Sequence, residues 1–477
     1  MSELPDGWTE VPIGDLCLAV FDGPFGSNLK SIDYTESGVR VVRLENIGRL
    51  RFQGDRKTYI SRRKYQALSK HALHENDILF SSFVDEDVRV CLVPKDLGLA
   101  INKADCFCLR INPRLAHPAF VTYRLASTQT YADMSERVHG ATRPRVNLSQ
   151  LRQYEISLPS VSEQKRIAAK INAVLARVEG CRARLDRVPA ILKRFRHAVL
   201  EAAVSGRLTE DWRNASGQPQ DWHRSTMGQA GSVSGGLTKN AKRAALSLRK
   251  PYLRVANVHA NRLDLGDIST IGLTEVEWRK TALQAGDLLI VEGNGSLDQI
   301  GRVARWNGEI PECSHQNHLI RWRTHGTVSA KFGLLWLMSP PGRSALMDLA
   351  STSAGLYTLS ISKVASVPIE VPSESEQAEI VRRVDELLAL ADALEMKYLT
   401  AVERVERLTP AVLAKAFRGE LLPQDSNDEA APVFLKRIKK QHTASGSRVV
   451  PDQIRAVQRA STKRAFHKMG MTTRGRR

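Results

Sequence analysis

Apolar residues recur at spacings that alternate four and three along two long stretches of this chain. In the first they are Ile167, Ile171, Val174, Val178, Cys181, Leu185, Val188, Leu192, Phe195 and Val199. In the second they are Ile380, Val384, Leu387, Ala391, Leu394, Tyr398, Ala401, Val405, Leu408 and Val412. That alternation is a heptad seam and predicts two long helices. Each starts after a proline with the same signal, Ser160 with Glu163 and Ser373 with Glu376, which predicts capping boxes. Each stops at a glycine, Gly206 or Gly419, suited to the left-handed backbone beyond a last turn. Ser160–Leu208 aligns without a gap on Ser373–Leu421, 213 positions on. The chain is a duplication in which a globular segment is followed by a helix, twice.

A helix of about 45 residues runs roughly 65–70 Å at 1.5 Å per residue, and its seam needs cover. Pairing of the two copies provides it. With a globular segment between them an antiparallel coiled coil is expected, with a pseudo-twofold axis and one globular domain at each end. The alternative is that each helix packs on its own domain. Pro189 and Pro410 each remove a helical hydrogen bond, so kinks are expected there.

The globular segments share a plan but few residues. Each opens on a tryptophan, in DGWTEVPIGDL and in DWHRSTMGQA. Each has an alternating stretch ending in asparagine, VVRLENI and YLRVANV, and a turn into a strand at HENDILFSS and QAGDLLIVEG. Asp77 and Asp287 are expected to hold those turns. Each segment closes on a Leu-Ser stretch and an apolar strand. The fold class is therefore α+β: two globular domains separated by two long helices that pair as an antiparallel coiled coil. The expected divisions are 1–159, 160–210, 211–372, 373–423 and a tail, 424–477. The loops between shared landmarks diverge, and function concentrates in such loops.

Composition narrows the partners. The 477 residues carry a net charge of +19, which favours a polyanion. The tail holds 13 Lys/Arg against 4 Asp/Glu, so about half of the excess lies there. A DNA-gripping arm, a partner contact and simple disorder all stay open for it. No run of 18 apolar residues and no secretory signal is present, so a cytoplasmic location without membrane contact is expected. Six cysteines at 17, 91, 106, 108, 181 and 313 form no CxxC pair, and reduced, mostly buried thiols are expected.

The common catalytic signatures are absent from the sequence. There is no phosphate loop, no HExxH and no [Asn/Asp]-Pro-Pro-aromatic string of an amino-methyltransferase. Ser339-Pro340-Pro341-Gly342 is better taken as a loop. Cys313, His315 and His318 lack a fourth ligand at suitable spacing for a metal. Asp287 and Glu292 have nuclease-like spacing but no following lysine.

These residues resemble the specificity (S) subunit of type I restriction–modification systems, over residues 1 to about 423. The most specific marks are the repeated helix start (Pro159/Glu163/Gln164 and Pro372/Glu376/Gln377) and the repeated AVL…GxL helix end. DGPFGSNLK at 22–30, EGNGSLDQIGRVARW at 292–306 and CSHQNHLIRWR at 313–323 are similar to loop motifs of the family's target-recognition domains. The tail departs from the family pattern. The resemblance implies that each globular segment reads one half of a split, asymmetric double-stranded DNA target. It implies that the helices act as spacer and as docking surface for two methyltransferase (modification) subunits. Those would carry S-adenosylmethionine and methylate an adenine in each half-site. Motor–nuclease restriction subunits, using ATP and Mg, would join them. This chain would hold no cofactor and no metal and would catalyse nothing.

Polar residues in the divergent loops, near basic ones, are the candidate DNA contacts. In the first segment they are Ser27, Asn28, Lys30, Arg43, Asn46, Arg143 and Arg145. In the second they are Asn257, Asn294, Ser296, Gln316, Asn317, His318 and Tyr357. Arginine can pair with guanine, and Asn or Gln with adenine, in the major groove. The bland reading stays beside this one, because Asn294 between two glycines suits a plain turn and Arg43 suits a solvated strand face. Three rivals remain: a specificity subunit for a fused type IIG-like restriction–methyltransferase, a coiled-coil scaffold that binds proteins, and an unrecognised nuclease.

Overall fold

In a computed structural model of the chain, residues 4–138, 144–217, 221–353 and 356–444 are described. By contact the chain divides into two compact units, Met1–Arg182 with Glu403–Arg477, and Ala183–Val402. Among the described residues no helix is long and apolar enough to cross a membrane.

In the first unit a four-stranded antiparallel sheet runs in the order Cys17–Phe21, Cys106–Ile111, Ile78–Val84, Val88–Leu92. Strand Ile78–Val84 is buried along its whole length because both of its faces are covered. Ile78 and Phe80 enter the main core, while Leu79 between them enters a smaller one. A second sheet contains a parallel pair, Val39–Val42 beside Ala100–Asn102. Thr9–Pro12 pairs antiparallel with Glu155–Leu158, the strand that leads into the first helix.

The second unit repeats the plan. Its sheet order is Gly231–Gly235, Leu319–Thr324, Leu288–Val291, Val303–Arg305. Leu288 and Ile290 face the main core, and Leu289 and Val291 face a smaller one. The parallel pair is Arg249–Leu253 with Ser314–His315, and His223–Thr226 pairs with Pro368–Val371. Asp77 and Asp287 hold their turns by accepting the His74 and Gln284 N–H groups, both at 2.8 Å. Each also clamps one arginine through both carboxylate oxygens, Arg110 at 2.9 and 2.7 Å and Arg323 at 2.6 and 2.7 Å.

The helices run antiparallel within each unit. In the second, Arg383 donates to the Leu208 carbonyl (2.9 Å), while Arg196, earlier in the first helix, reaches Asp392 and Glu395, later in the other, at 2.6 and 2.8 Å. In the first, Ile167 and Ile171 near the start of one helix share a core with Leu413 and Ala416 near the end of the other. Both helices also pack on their own domains. The C-terminal helix is continuous over Glu374–Phe417, through Pro410. The earlier one is not: it divides into Val161–Leu185 and Val188–Val204, with Pro189 in the first turn of the second piece. In a first turn the missing N–H of Pro189 costs no helical bond, whereas Pro410 forgoes one bond inside an unbroken helix. Burial does not separate them, since Leu192 and Leu413, three residues beyond each, are both buried. The heptad seam is also less closed than its pattern predicts, since Cys181, Leu394 and Leu408 are exposed. Gly206 and Gly419 do take left-handed backbone, at φ +77° and +74°.

The helix starts hold a second correction. Ser160 and Ser373 accept the N–H of Glu163 and Glu376, as a cap should. The two carboxylates do not serve the cap as expected and turn to the opening tryptophans. Trp8 Nε1 donates to Glu163 (3.2 Å) and Trp222 Nε1 to Glu376 (2.9 Å). The next residue tethers the domain as well. The Gln164 amide accepts the His117 N–H and donates to the Pro159 carbonyl. Gln377 does the same with Ser329 and Pro372. Glu376 is further held by buried Arg213 and by Thr209, at 2.7 Å from the latter. Burial instead pushes the Glu163 carboxyl up, with Arg166 nearby already bonded to Asp428.

Ser339-Pro340-Pro341-Gly342 is a helix start and not a loop: Ser339 caps Pro340–Asp348 by accepting the Gly342 N–H.

The two glutamates should therefore respond differently to neutralisation. Glu376→Gln leaves the Arg213 charge buried without its partner and should cost about 3 kcal/mol. Glu163→Gln keeps an acceptor for the indole and should cost less than about 1 kcal/mol. Urea unfolding of the full chain checks this, and equal losses would contradict it.

Candidate nucleic-acid interface

In each unit a glycine wedge aims the loop after the first strand of the main sheet. A Cβ on Gly23 would lie 2.2 Å from the Lys103 carbonyl carbon, and one on Gly236 would lie 2.1 Å from the His315 carbonyl oxygen. Only glycine lets these loops cross so close to the neighbouring backbone. Asp22 accepts the Gly23 N–H at 2.7 Å, and the His71 ring donates to the Asp22 carbonyl at 2.7 Å. The Phe25 carbonyl then accepts the N–H groups of Asn28 (2.9 Å) and Leu29 (3.1 Å), and Leu29 is buried as an anchor. Ser27, Asn28 and Lys30 are left exposed around that anchored turn.

Close by, Arg145 stacks over the Phe83 ring at 4.5 Å and lies 3.6 Å from Asp105. Its side chain is about half exposed. Arg43 is half-buried and 3.4 Å from Glu45. Arg143 lies outside the described residues.

Asn46 and Asn257 are placed differently from expectation. Both are buried. The Asn46 amide donates to the carbonyls of Gln53 and Arg56, and its oxygen accepts the Arg43 N–H. Asn257 repeats this with Asp264, Asp267 and Arg254. Their hydrogen bonds are used in pinning a loop, so neither is free to reach a base.

In the second unit the candidates gather around Glu292. Its N–H donates to the His318 carbonyl (3.0 Å), and its carbonyl accepts the Leu359 N–H (2.8 Å). His318 Nδ1 is 3.3 Å from its carboxylate, which burial shifts upward and His318 pulls back. Gly293–Asn294 pairs antiparallel with Tyr357 and Thr358, so Asn294 stands opposite Tyr357. The Asn294 oxygen accepts the Ser296 N–H at 3.0 Å, the turn its glycine neighbours suggested. Asn294, Ser296, His318 and Tyr357 are thus brought together. Gln316 and Asn317 adjoin them, with backbone N–H groups donating to Leu253 and Leu237 at 2.9 and 3.0 Å. His315 faces away: it is buried, near the Thr281 carbonyl at 3.2 Å. Burial pushes its imidazole down to about 4.

Sequence reasoning missed the loop equivalent to 22–30. Residues 236–245 follow the matching strand, and Lys239, Asn240 and Lys242 are exposed on them. Gly236, placed like Gly23 after an opening strand, was the available signal.

Burial lifts the Asp22 carboxyl to about 6, the Gly23 bond opposes this, and Asp105 adds to it. Between its ordinary value of 3.8 and about 6 the folded chain holds a proton that the unfolded chain has released. This group's stabilisation is present in acid and lost as pH rises through that window. The parent should therefore lose stability relative to Asp22→Asn between about pH 4 and 7, as thermal unfolding across pH would register. A flat difference would contradict this.

Three comparisons bear on the geometry. A family model described as the type I restriction modification DNA specificity domain matches residues 5–188. The chain is 30% identical over 465 residues to the type I restriction enzyme EcoKI specificity subunit of Escherichia coli (strain K12), covering 94% of this chain and 98% of that one. It is also 30% identical over 463 residues to the StySPI specificity subunit of Salmonella potsdam, with the same coverage. Among solved structures, the HsdS subunit of Thermoanaerobacter tengcongensis matches with a TM-score of 0.56 at 21% identity, over 88% of this chain and 99% of that one. A chain from a structural study of type I R-M complex assembly and conformational transition matches with a TM-score of 0.62 at 20% identity, over 88% and 100%.

Proposed function

Because the chain belongs to the type I restriction enzyme specificity subunits, we propose that it reads a split, asymmetric duplex target, one half with each unit. One observation carries this reading. The same scaffold occurs twice, with the same strand order, parallel pair and glycine wedge, yet the loops on it differ in sequence: Ser27, Asn28 and Lys30 in one against Lys239, Asn240 and Lys242 in the other, and Asp85 and Glu86 against Asn294 and Ser296. One scaffold with two loop chemistries suits two different half-sites.

Phosphate contacts from exposed lysines and arginines supply affinity that falls with salt, and polar loop groups discriminate bases. Lys30 and Arg145 in the first unit, and Lys239 and Lys242 in the second, suit phosphate or guanine. Asn28, Asn294, Gln316 and Asn317 suit adenine, and a methyl-adenine system needs one adenine in each half. Arg145 is preorganised by its ring stack, so it loses little freedom on binding.

Catalysis belongs to other subunits. In this reading two modification subunits dock along the helices, each bringing S-adenosylmethionine to one half-site. Restriction subunits with ATP and Mg complete the assembly. This chain supplies recognition and needs no cofactor, and a cytoplasmic location belongs with it. The relatives are restriction specificity subunits, which favours this reading over a protein-binding scaffold or a nuclease.

The two units should fail separately. Replacing Asn28 and Lys30 by alanine should weaken discrimination in one half-site by about 1–3 kcal/mol per lost base contact and leave the other half unchanged. Replacing Asn294 and Asn317 should do the reverse. Competition binding against duplexes mutated in one half at a time reads this directly. Loss of discrimination spread over both halves by either pair would contradict it.

A further inference from the structure

Near the end of an inner strand of each main sheet, the scaffold brings the same backbone positions together. In the first unit the Ser82 N–H donates to the Asp105 carbonyl (2.9 Å), and the Ser82 carbonyl accepts the Val146 N–H (2.9 Å). In the second the Glu292 N–H donates to the His318 carbonyl (3.0 Å), and the Glu292 carbonyl accepts the Leu359 N–H (2.8 Å). His318 stands 213 positions after Asp105, and Leu359 stands 213 after Val146, the interval of the helix repeat. This is one place in the scaffold, present twice.

The side chains at that place differ, yet each set sets a carboxylate against a basic group. In the first unit the buried Ser82 hydroxyl donates to Asp105 Oδ1 at 3.1 Å, and Arg145 Nη1 lies 3.6 Å from the same oxygen. Among the described residues nothing donates to Asp105 Oδ2. A separation of 3.6 Å is an ion pair without a hydrogen bond, so the guanidinium fork is not committed. The Phe83 ring under Arg145 fixes its plane. Asp105 itself is held in left-handed backbone, at φ +71°, which aspartate tolerates better than most residues. In the second unit the acid sits on the other member of the pair: Glu292 Oε2 lies 3.3 Å from His318 Nδ1. Both carboxylates are partly open to solvent, at 30% for Asp105 and 27% for Glu292.

Such a pair has a complement on DNA. In the major groove a G·C pair sets the guanine acceptors N7 and O6 beside the cytosine amino donor. A guanidinium fork beside a carboxylate offers the opposite pattern, two donors and then an acceptor. An A·T pair places its amino donor between two acceptors and cannot take the fork in full.

We propose that this place determines specificity in both units. Asp105 and Arg145 together read one G·C pair, Arg145 on the guanine and Asp105 on the cytosine amino group. Glu292, held by His318, accepts from one exocyclic base amino group in the other half-site. The assignment rests on the DNA-reading function proposed above.

The test titrates the full-length parent, Asp105→Asn, Arg145→Gln and Glu292→Gln. Each meets the bipartite target duplex, a random duplex, and target duplexes in which every base pair is replaced in turn. Asparagine suits the left-handed backbone at 105 and keeps an oxygen for Ser82. Arg145→Gln changes a half-exposed side chain, so it carries the test if the other variant does not fold. Asp105→Asn and Arg145→Gln should each lose about tenfold or more of the preference at one and the same G·C pair, with every other position unchanged. Glu292→Gln should lose a similar factor at one base pair of the other half alone. Removing a carboxylate also removes a repulsion toward phosphate. If the Asn and Gln variants of the two acids tighten every duplex alike and keep all base preferences, the pairs are surface ion pairs and the proposal is overturned. Losses at different positions for Asp105→Asn and Arg145→Gln, or at an A·T pair, would overturn it too. If the parent separates target from random duplex and the variants match it, this assignment alone fails. If the parent does not separate them, the DNA-reading function fails and the assignment with it.

Discussion

Each half of this protein depends on one buried contact, in which a carboxylate at a helix start accepts the indole N–H of a tryptophan some 155 residues earlier. Glu163 with Trp8 and Glu376 with Trp222 join the first residues of a globular segment to the helix that leaves it. The contact fixes the rotation of the helix about its axis, because a buried carboxylate must keep its donors. The following glutamine, bonded to the domain backbone on one side and the helix entry on the other, leaves little freedom to slip. Helix direction and sheet position are thus set together, and every loop on the sheet inherits that placement.

The repeat is strict where it supports and absent where it touches solvent. Asp77 and Asp287, Asn46 and Asn257, Gly23 and Gly236 occupy matched positions with matched bonds. The exposed groups they position do not match. Ser27 and Asn28 stand where the other unit offers Lys239 and Asn240, and Asp85, Glu86 and Asp87 follow one central strand where Asn294 and Ser296 follow the other. Unit-specific closure differs too. The second unit completes its core with residues directly after its first helix, among them Thr209 and Arg213. The first uses the tail, through Asp428, Ala431 and Phe434.

The features legible in the sequence were periodic or local. Heptad spacing, proline and serine at helix starts, left-handed glycines at helix ends and turn aspartates each act within a few residues. What was not legible depended on distant partners. Nothing near Glu163 says that its carboxylate serves Trp8 and not its own cap. Asn46 looked like a free polar group at the end of an alternating strand, and only the path of residues 47–56 shows that its amide is fully used. Pro189 and Pro410 look alike in sequence, yet one sits at a helix break and the other inside a helix. The Glu292–His318 pair escaped for the same reason: its members are 26 positions apart and meet only across a sheet edge.

The central claim is that this one chain chooses a split DNA sequence for methylation in both halves. Genome-wide mapping of N6-methyladenine, with and without the gene, tests it most directly. The account predicts that deletion removes methylation from a single bipartite motif, one adenine in each half, and leaves all other motifs intact. Loss of no motif, or of a contiguous one, would contradict it.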